Sequence, residues 1–270
     1  MKSILIAVAI LALGGAGSEA GAQLRPLDPF EWRVLEGTSL VGSVGVAVLA
    51  DQRASLARTD GRLVELGDLA LTWRTGRVAF EAGGTVQRLY HVERVLGPAE
   101  GEVTATDENR HDAGVYRVGA AFRLTSDGAP VAALLRFGTR LPTTNNRVGL
   151  DRDATDFYAL LGGRLARSRF AVGAEAGLGI NGTRNPGFEQ SDVLLYAVQA
   201  RYDGGAIIPV ASLAGQVNSA SADVRGTETL GEVRAGVRLG SDEWLRVEVV
   251  RGYAEISPSW GVRAAVGIAR

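Results

Sequence analysis

The sequence predicts an all-β protein: a transmembrane antiparallel up-and-down β-barrel of about 12 strands, of the bacterial outer-membrane type. Three observations lead there. The chain opens on an export signal. Segments of about ten residues then alternate apolar and polar positions, the length and period of a tilted strand crossing a bilayer. Finally, short and long connections alternate along the chain, as they do when periplasmic turns are tight and outside loops are long.

Residues 1–22 read as a signal peptide. Lys2 precedes an apolar run from Ile4 to Leu13, and the small-residue site Ala20-Gly21-Ala22 follows, with cleavage expected after Ala22. The apolar run is half the roughly 20 residues of a spanning helix. Residues 23–38 form a Pro-containing lead-in, expected in the periplasm or in the barrel mouth as a plug. Asp28-Pro29 there has the residue types of a helix cap and first turn. Residues 39–270 are the barrel.

Twelve strands are expected, near 40–51, 64–75, 77–90, 114–125, 130–141, 156–166, 169–181, 191–202, 206–217, 228–239, 244–254 and 259–269. The clearest is the seventh: Phe170, Val172, Ala174, Ala176, Leu178 and Ile180 share one face, and Arg169, Ala171, Gly173, Glu175, Gly177 and Gly179 the other. One greasy face and one face of Arg, Glu and Gly suit a wall between lipid and an aqueous lumen. Tight turns fall at Thr75-Gly76, Ser126-Asp127-Gly128, Arg167-Ser168, Asp203-Gly204 and Gly240-Ser241-Asp242. Longer polar links at 52–63, 91–113, 142–155, 182–190 and 218–227 lie between them. A β-sandwich also has many short strands, but nothing in it requires this alternation.

Composition narrows the chemistry. The chain has no Cys, so disulfides, thiolate nucleophiles and Cys-ligated metals are excluded. A net charge of −1 gives no electrostatic support for a nucleic-acid partner. Lys2 is the only lysine, so every basic side chain beyond it, histidines aside, is Arg.

The segment R-F-G-T-R-L-P-T-T-N-N-R-V-G-L-D-R-D-A-T-D-F-Y, Arg136 to Tyr158, resembles the strand-loop-strand of outer-membrane proteins grouped as the phenol-degradation MetA-pathway family. There a strand ends in a Leu-Pro turn and a Gly-Leu…Asp loop leads into Asp-Phe. The resemblance implies a small barrel channel passing hydrophobic or aromatic compounds, with no catalytic residues to carry over. The ending Ile268-Ala269-Arg270 departs from the terminal aromatic common in such barrels.

Three constellations invite sharper readings. Gly177-Leu-Gly179-Ile-Asn-Gly182 spells a dinucleotide fingerprint, but T-R-N-P-G follows where the phosphate-binding helix should begin. His91 and His111 bracket one expected outside loop, with no Ser beside either to complete a nucleophile–base set. Asp151, Asp153 and Asp156 lack the spacing and Gly of a calcium loop and read as a solvated acidic loop.

The lumen face carries the most informative set. Arg74, Arg123, Arg164, Arg201 and Arg238 fall near the periplasmic ends of even-numbered strands, in phase with the inward positions. Midway up, Glu81, Glu175, Glu232 and Glu248 accompany Arg136, Arg234 and Arg246, and Arg–Glu pairs are expected across neighbouring strands. These twelve residues are the expected pore lining. No cofactor or metal is implied. The expectation is a passive outer-membrane channel for small solutes, assembled by barrel-assembly machinery among outer-membrane lipids. The alternatives are a non-transporting structural or surface-interaction barrel and a lipid-modifying barrel enzyme.

Overall fold

The computed structural model describes residues 23–99, 101–127, 129–182, 191–218, 229–254 and 256–270. The expected signal peptide and most of the links at 182–190 and 218–227 lie outside them. Among the described residues, one short 3₁₀ turn, Trp32–Leu35, precedes thirteen strands. These are β1 (Leu40–Ala54), β2 (Thr59–Thr75), β3 (Val78–Val95), β4 (Asn109–Asp112), β5 (Tyr116–Arg123), β6 (Val131–Leu141) and β7 (Asp156–Arg167). The remainder are β8 (Phe170–Asn181), β9 (Ser191–Tyr202), β10 (Ile207–Asn218), β11 (Leu230–Leu239), β12 (Glu243–Gly252) and β13 (Trp260–Ala269).

Each strand pairs antiparallel with its neighbours, and β1 pairs with both β2 and β13, so the sheet closes on itself. β4 and β5 both pair with β3, one above the other, so they are two halves of one stave. The wall is therefore a closed twelve-stave barrel.

Two differences from the sequence reading have local causes. The fourth stave begins inside the region read as loop 91–113 and is interrupted at residues 113–115. There the Gly114 amide donates to Thr85 O at 2.9 Å, an approach so close that a Cβ on Gly114 would stand 2.3 Å from the Thr85 side chain. The link expected at 52–63 shrinks to residues 55–58, because β1 and β2 continue upward. Tyr90, almost fully buried, ties that extension together by donating to Gln52 O and lying 3.0 Å from Thr59 O. In β2, Gly67 (φ +67°) is the extra residue of a bulge where the β1–β2 register slips, a left-handed backbone that Gly takes without strain.

The alternation of faces holds around the wall. Val44, Leu69, Leu71, Val118, Leu135, Leu161, Leu178, Val198, Val237 and Val262 are exposed on the outside. Trp73, Phe80, Phe122, Phe170 and Tyr202 ring the end with the tight turns, here called the lower end, while Phe157, Tyr253 and Trp260 stand at the upper end. An apolar band between aromatic girdles is what a bilayer selects, since Trp and Tyr favour its interfaces.

Candidate functional site: the lumen and the segment inside it

The lumen contains the chain's own residues 23–37. Leu24 enters at the upper end and packs with Leu49, Leu63, Tyr90 and Leu150. Arg25 pairs with Glu65 on β2 at 2.7 Å and Glu232 on β11 at 3.2 Å. Asp28 meets Arg234 on β11 at 2.6 Å, Arg117 on β5 at 2.8 Å and Arg263 on β13 at 3.5 Å. Phe30, fully buried, donates its amide to Glu175 at 3.0 Å and accepts from Gln199 at 2.6 Å. Lower down, Leu35 O accepts from Arg123 and Glu36 pairs with Arg164 and Arg201. Partners on strands all round the wall place the segment within the barrel. Gly37 (φ +104°) then turns the chain, and Ser39 and Leu40 join the wall by donating to Arg270 O.

The helix expected after Asp28-Pro29 starts later. Glu31 caps the 3₁₀ turn by accepting from the Arg33 amide, and Asp28 is held instead by three guanidiniums. Trp32 and Phe30 meet edge to face at 5.4 Å, and Trp32 rests against Gly162 and Gly173 of the wall.

Arg136 is the hub of the lumen. It donates to Glu81 at 2.7 and 3.1 Å, to Glu175 at 2.8 Å, and to Asp28 O at 3.1 Å. Arg–Glu pairs were expected between adjacent strands. In the lumen one such pair forms, Arg88 on β3 with Glu65 directly opposite it on β2 at 3.1 Å. Arg136 on β6 instead reaches two staves either way, to β3 and β8, because inward side chains converge on the barrel axis and meet beyond their immediate neighbours. Arg234 pairs with Glu232 on its own strand at 2.9 Å, and Arg246 with Glu248 at 3.4 Å.

The lower arginines are placed as follows. Arg123 pairs with Asp127, and Arg201 with Asp203 at 3.0 Å as well as Glu36. Arg164 shares that Glu36. Arg74 is half-buried on the lumen face beside buried Thr72. Arg238 is buried and, among the described residues, has no ion-pair partner.

The remaining constellations are also placed. His91 and His111 are exposed on the outer face of the β3–β4 ladder, His91 bonded to Asn109 at 2.9 Å. Gly177 and Gly179 are inward positions of β8, with a strand and not a helix around them. The Asp151 loop is not solvated. Asp151 is fully buried between Arg88 and Arg140, and Asp156 accepts from Arg140 and Arg152, which folds the loop over the upper end.

Several lumen residues escaped the sequence reading. Asp68, Arg117, Trp244 and Arg263 stand at inward positions of strands already phased, so the same alternation identifies them. Arg25, Asp28, Trp32, Arg33 and Glu36 lie in a segment without periodicity, where residue type alone signals nothing.

Wall and contents together define a barrel of bacterial outer-membrane type threaded by its own N-terminal segment. Solved structures agree with the fold. An outer membrane channel of Pseudomonas putida F1 matches with a TM-score of 0.63 and 14% identity, over 90% of this chain and 100% of that one. The transport unit of the autotransporter AIDA-I from Escherichia coli matches with a TM-score of 0.50 and 10% identity, over 90% and 92%. Likeness at such identities is likeness of fold, and one fold hosts many functions. No family model and no curated protein matches the chain.

Proposed function

We propose that the protein is exported to the bacterial outer membrane by residues 1–22 and acts there as a channel for small solutes. Residues 23–38 serve as its internal constriction. One observation carries this reading: the polar lumen is filled by a separate segment, held by side-chain bonds and anchored to the wall at the lower end. A residual cavity of about 180 Å³ lies between that segment and the wall, lined from Asp28, Phe30 and Trp32 to Arg136 and Arg238. A permeant therefore needs the segment to shift, and Gly37 supplies a pivot at the lower mouth. The resemblance of residues 136–158 to the MetA-pathway family supports hydrophobic or aromatic compounds as the solutes. Outer-membrane lipids and the assembly machinery are the partners of such a barrel.

The well-bonded segment also favours a second reading, a non-transporting structural barrel. Planar-bilayer recordings separate the two. The full chain should show small steps, and a variant lacking residues 23–36 should show steps several-fold larger. A deletion variant that folds yet never conducts would overturn the channel. The lipid-modifying alternative gains nothing from histidines that sit on the outer face beside an Asn.

A further inference from the structure

The lower end of the lumen holds buried donors that nothing among the described residues satisfies. Arg33 Nη1, Arg238 Nε and Trp244 Nε1 are each buried without a hydrogen-bond partner, and all three residues line the cavity. Arg33, Arg238 and Trp244 are only 7%, 8% and 6% exposed. They come from two directions: Arg33 descends on the inner segment, and Arg238 and Trp244 stand on adjacent wall strands. Arg238 pairs in register with Arg246, and Trp244 lies two residues further along the same face. The Arg33 and Arg246 guanidiniums lie 5.2 and 5.5 Å from the Trp244 ring centre, so the indole sits in a cationic setting.

The ion pairing is incomplete as well. Glu31 serves Arg33, Glu36 is divided between Arg164 and Arg201, Asp203 also serves Arg201, and Glu248 serves Arg246. Arg238 is left over: of the five guanidiniums lining this end of the cavity, it alone has no carboxylate in ion-pair contact among the described residues. Buried polar atoms are normally bonded, and a buried charge is normally paired. Three buried donors without partners, one of them on the guanidinium that lacks an ion pair, suit an acceptor with a single negative charge and more than one oxygen. The apolar side chains beside it, Val41, Ala265 and the Trp244 ring, belong to one packed cluster. They favour an organic body behind the charge over an inorganic ion.

We propose that this pocket is a binding site for a small organic carboxylate, the head accepting from Arg33, Arg238 and Trp244 and the apolar body lying on Val41 and Ala265. It rests on the lumen being open to solutes from the lower mouth. It would make that mouth a station for anionic solutes and not merely a positive rim.

The test measures binding, so its failure is distinct from failure to conduct. Titration calorimetry of the refolded full chain in neutral detergent at low salt uses benzoate as the probe, with cyclohexanol, phosphate and chloride in parallel arms. Benzoate should bind saturably at one site, and the other three more weakly. Arg238→Gln should weaken benzoate by roughly ten- to hundred-fold, the loss of one charge-assisted bond. Trp244→Phe keeps the ring, removes the N–H, and should weaken it less but measurably. Arg62→Gln, in an exposed pair at the upper end, should leave it unchanged. Circular dichroism identical to wild type certifies the fold of each variant. Overturning results are absence of saturable benzoate binding, equal binding in Arg238→Gln and Trp244→Phe, or tighter binding of phosphate or cyclohexanol than of benzoate.

Discussion

Trp32 of the inner segment lies so close to Gly173 of β8 that a Cβ there would stand 2.6 Å from the indole Nε1. Gly162, diagonal to it on β7, is less tightly committed: its Cβ would come within 3.2 Å of the same ring. Two bare positions thus make the flat seat on which the segment's largest side chain rests, and they tie a property of the wall to the position of the constriction.

Substitution at Gly173 should therefore act on the segment and not on the barrel. Alternation alone places Gly173 toward water, where Gly173→Arg would be well tolerated. With Trp32 in that place, Gly173→Arg should unseat the segment and raise single-channel conductance, while leaving the unfolding midpoint near wild type. Ala174→Arg, one residue away on the outer face, should lower stability by about 2–4 kcal/mol, because it puts charge among acyl chains. Urea unfolding in lipid vesicles reads one effect and conductance the other. The idea fails if the two variants behave alike in both measurements.

Arg136 should be the most costly lumen side chain to lose. Its partners Glu81 and Glu175 have side chains only 13% and 2% exposed, so removing the guanidinium leaves two carboxylates without their cation. Breaking a buried pair in this way costs about 3–5 kcal/mol. Arg136→Met should show that loss in unfolding free energy, and Arg136→Met with Glu175→Gln should recover part of it. Arg62→Met breaks an exposed pair with Glu93 and should cost under about 1 kcal/mol. Equal losses at Arg62 and Arg136 would show that the lumen network is solvated.

The wall was legible because a strand's period and its connections are local properties. Phe170 to Ile180 declare a face without any knowledge of neighbours. What the faces meet is not local. The reach of Arg136 to β3 and β8 depends on barrel radius and register, which no single strand encodes. Burial of Asp151 depends on Arg88, sixty-three residues earlier. The segment was the least legible part, since Asp28-Pro29 spells a helix start while Asp28 is held by three arginines from distant strands. Glycines such as Gly173 announce space, never its occupant.

Loop accessibility should follow burial and not mere loop length. In 142–155, Arg147 is exposed, whereas Arg152, and Arg140 at the end of β6, are sequestered in pairs with Asp151 and Asp156. Trypsin added to intact cells should cut after Arg147 and spare the bonds after Arg140 and Arg152. Fragment masses decide this directly. Prompt cutting at Arg167 or Arg169, in the tight β7–β8 turn, would place the lower end outside and invert the topology.

Acid should not release the segment, although its main tether is a carboxylate. Burial pushes the Asp28 pKa up, but the guanidiniums of Arg234, Arg263 and Arg117 outweigh it and hold the group well below the usual carboxylate range. A group whose folded pKa is depressed contributes stability that is complete above its unfolded value, about 3.9 for Asp, and is lost only as pH falls through the lower folded value. Between pH 7 and about pH 4.5 the tether is therefore constant. Wild-type conductance should not change over that window, whereas Asp28→Asn, which removes the charge at every pH, should already conduct more at pH 7. A wild-type channel that opens between pH 6 and about pH 5 would mean that a group other than Asp28 governs the segment, since its ionisation cannot change there.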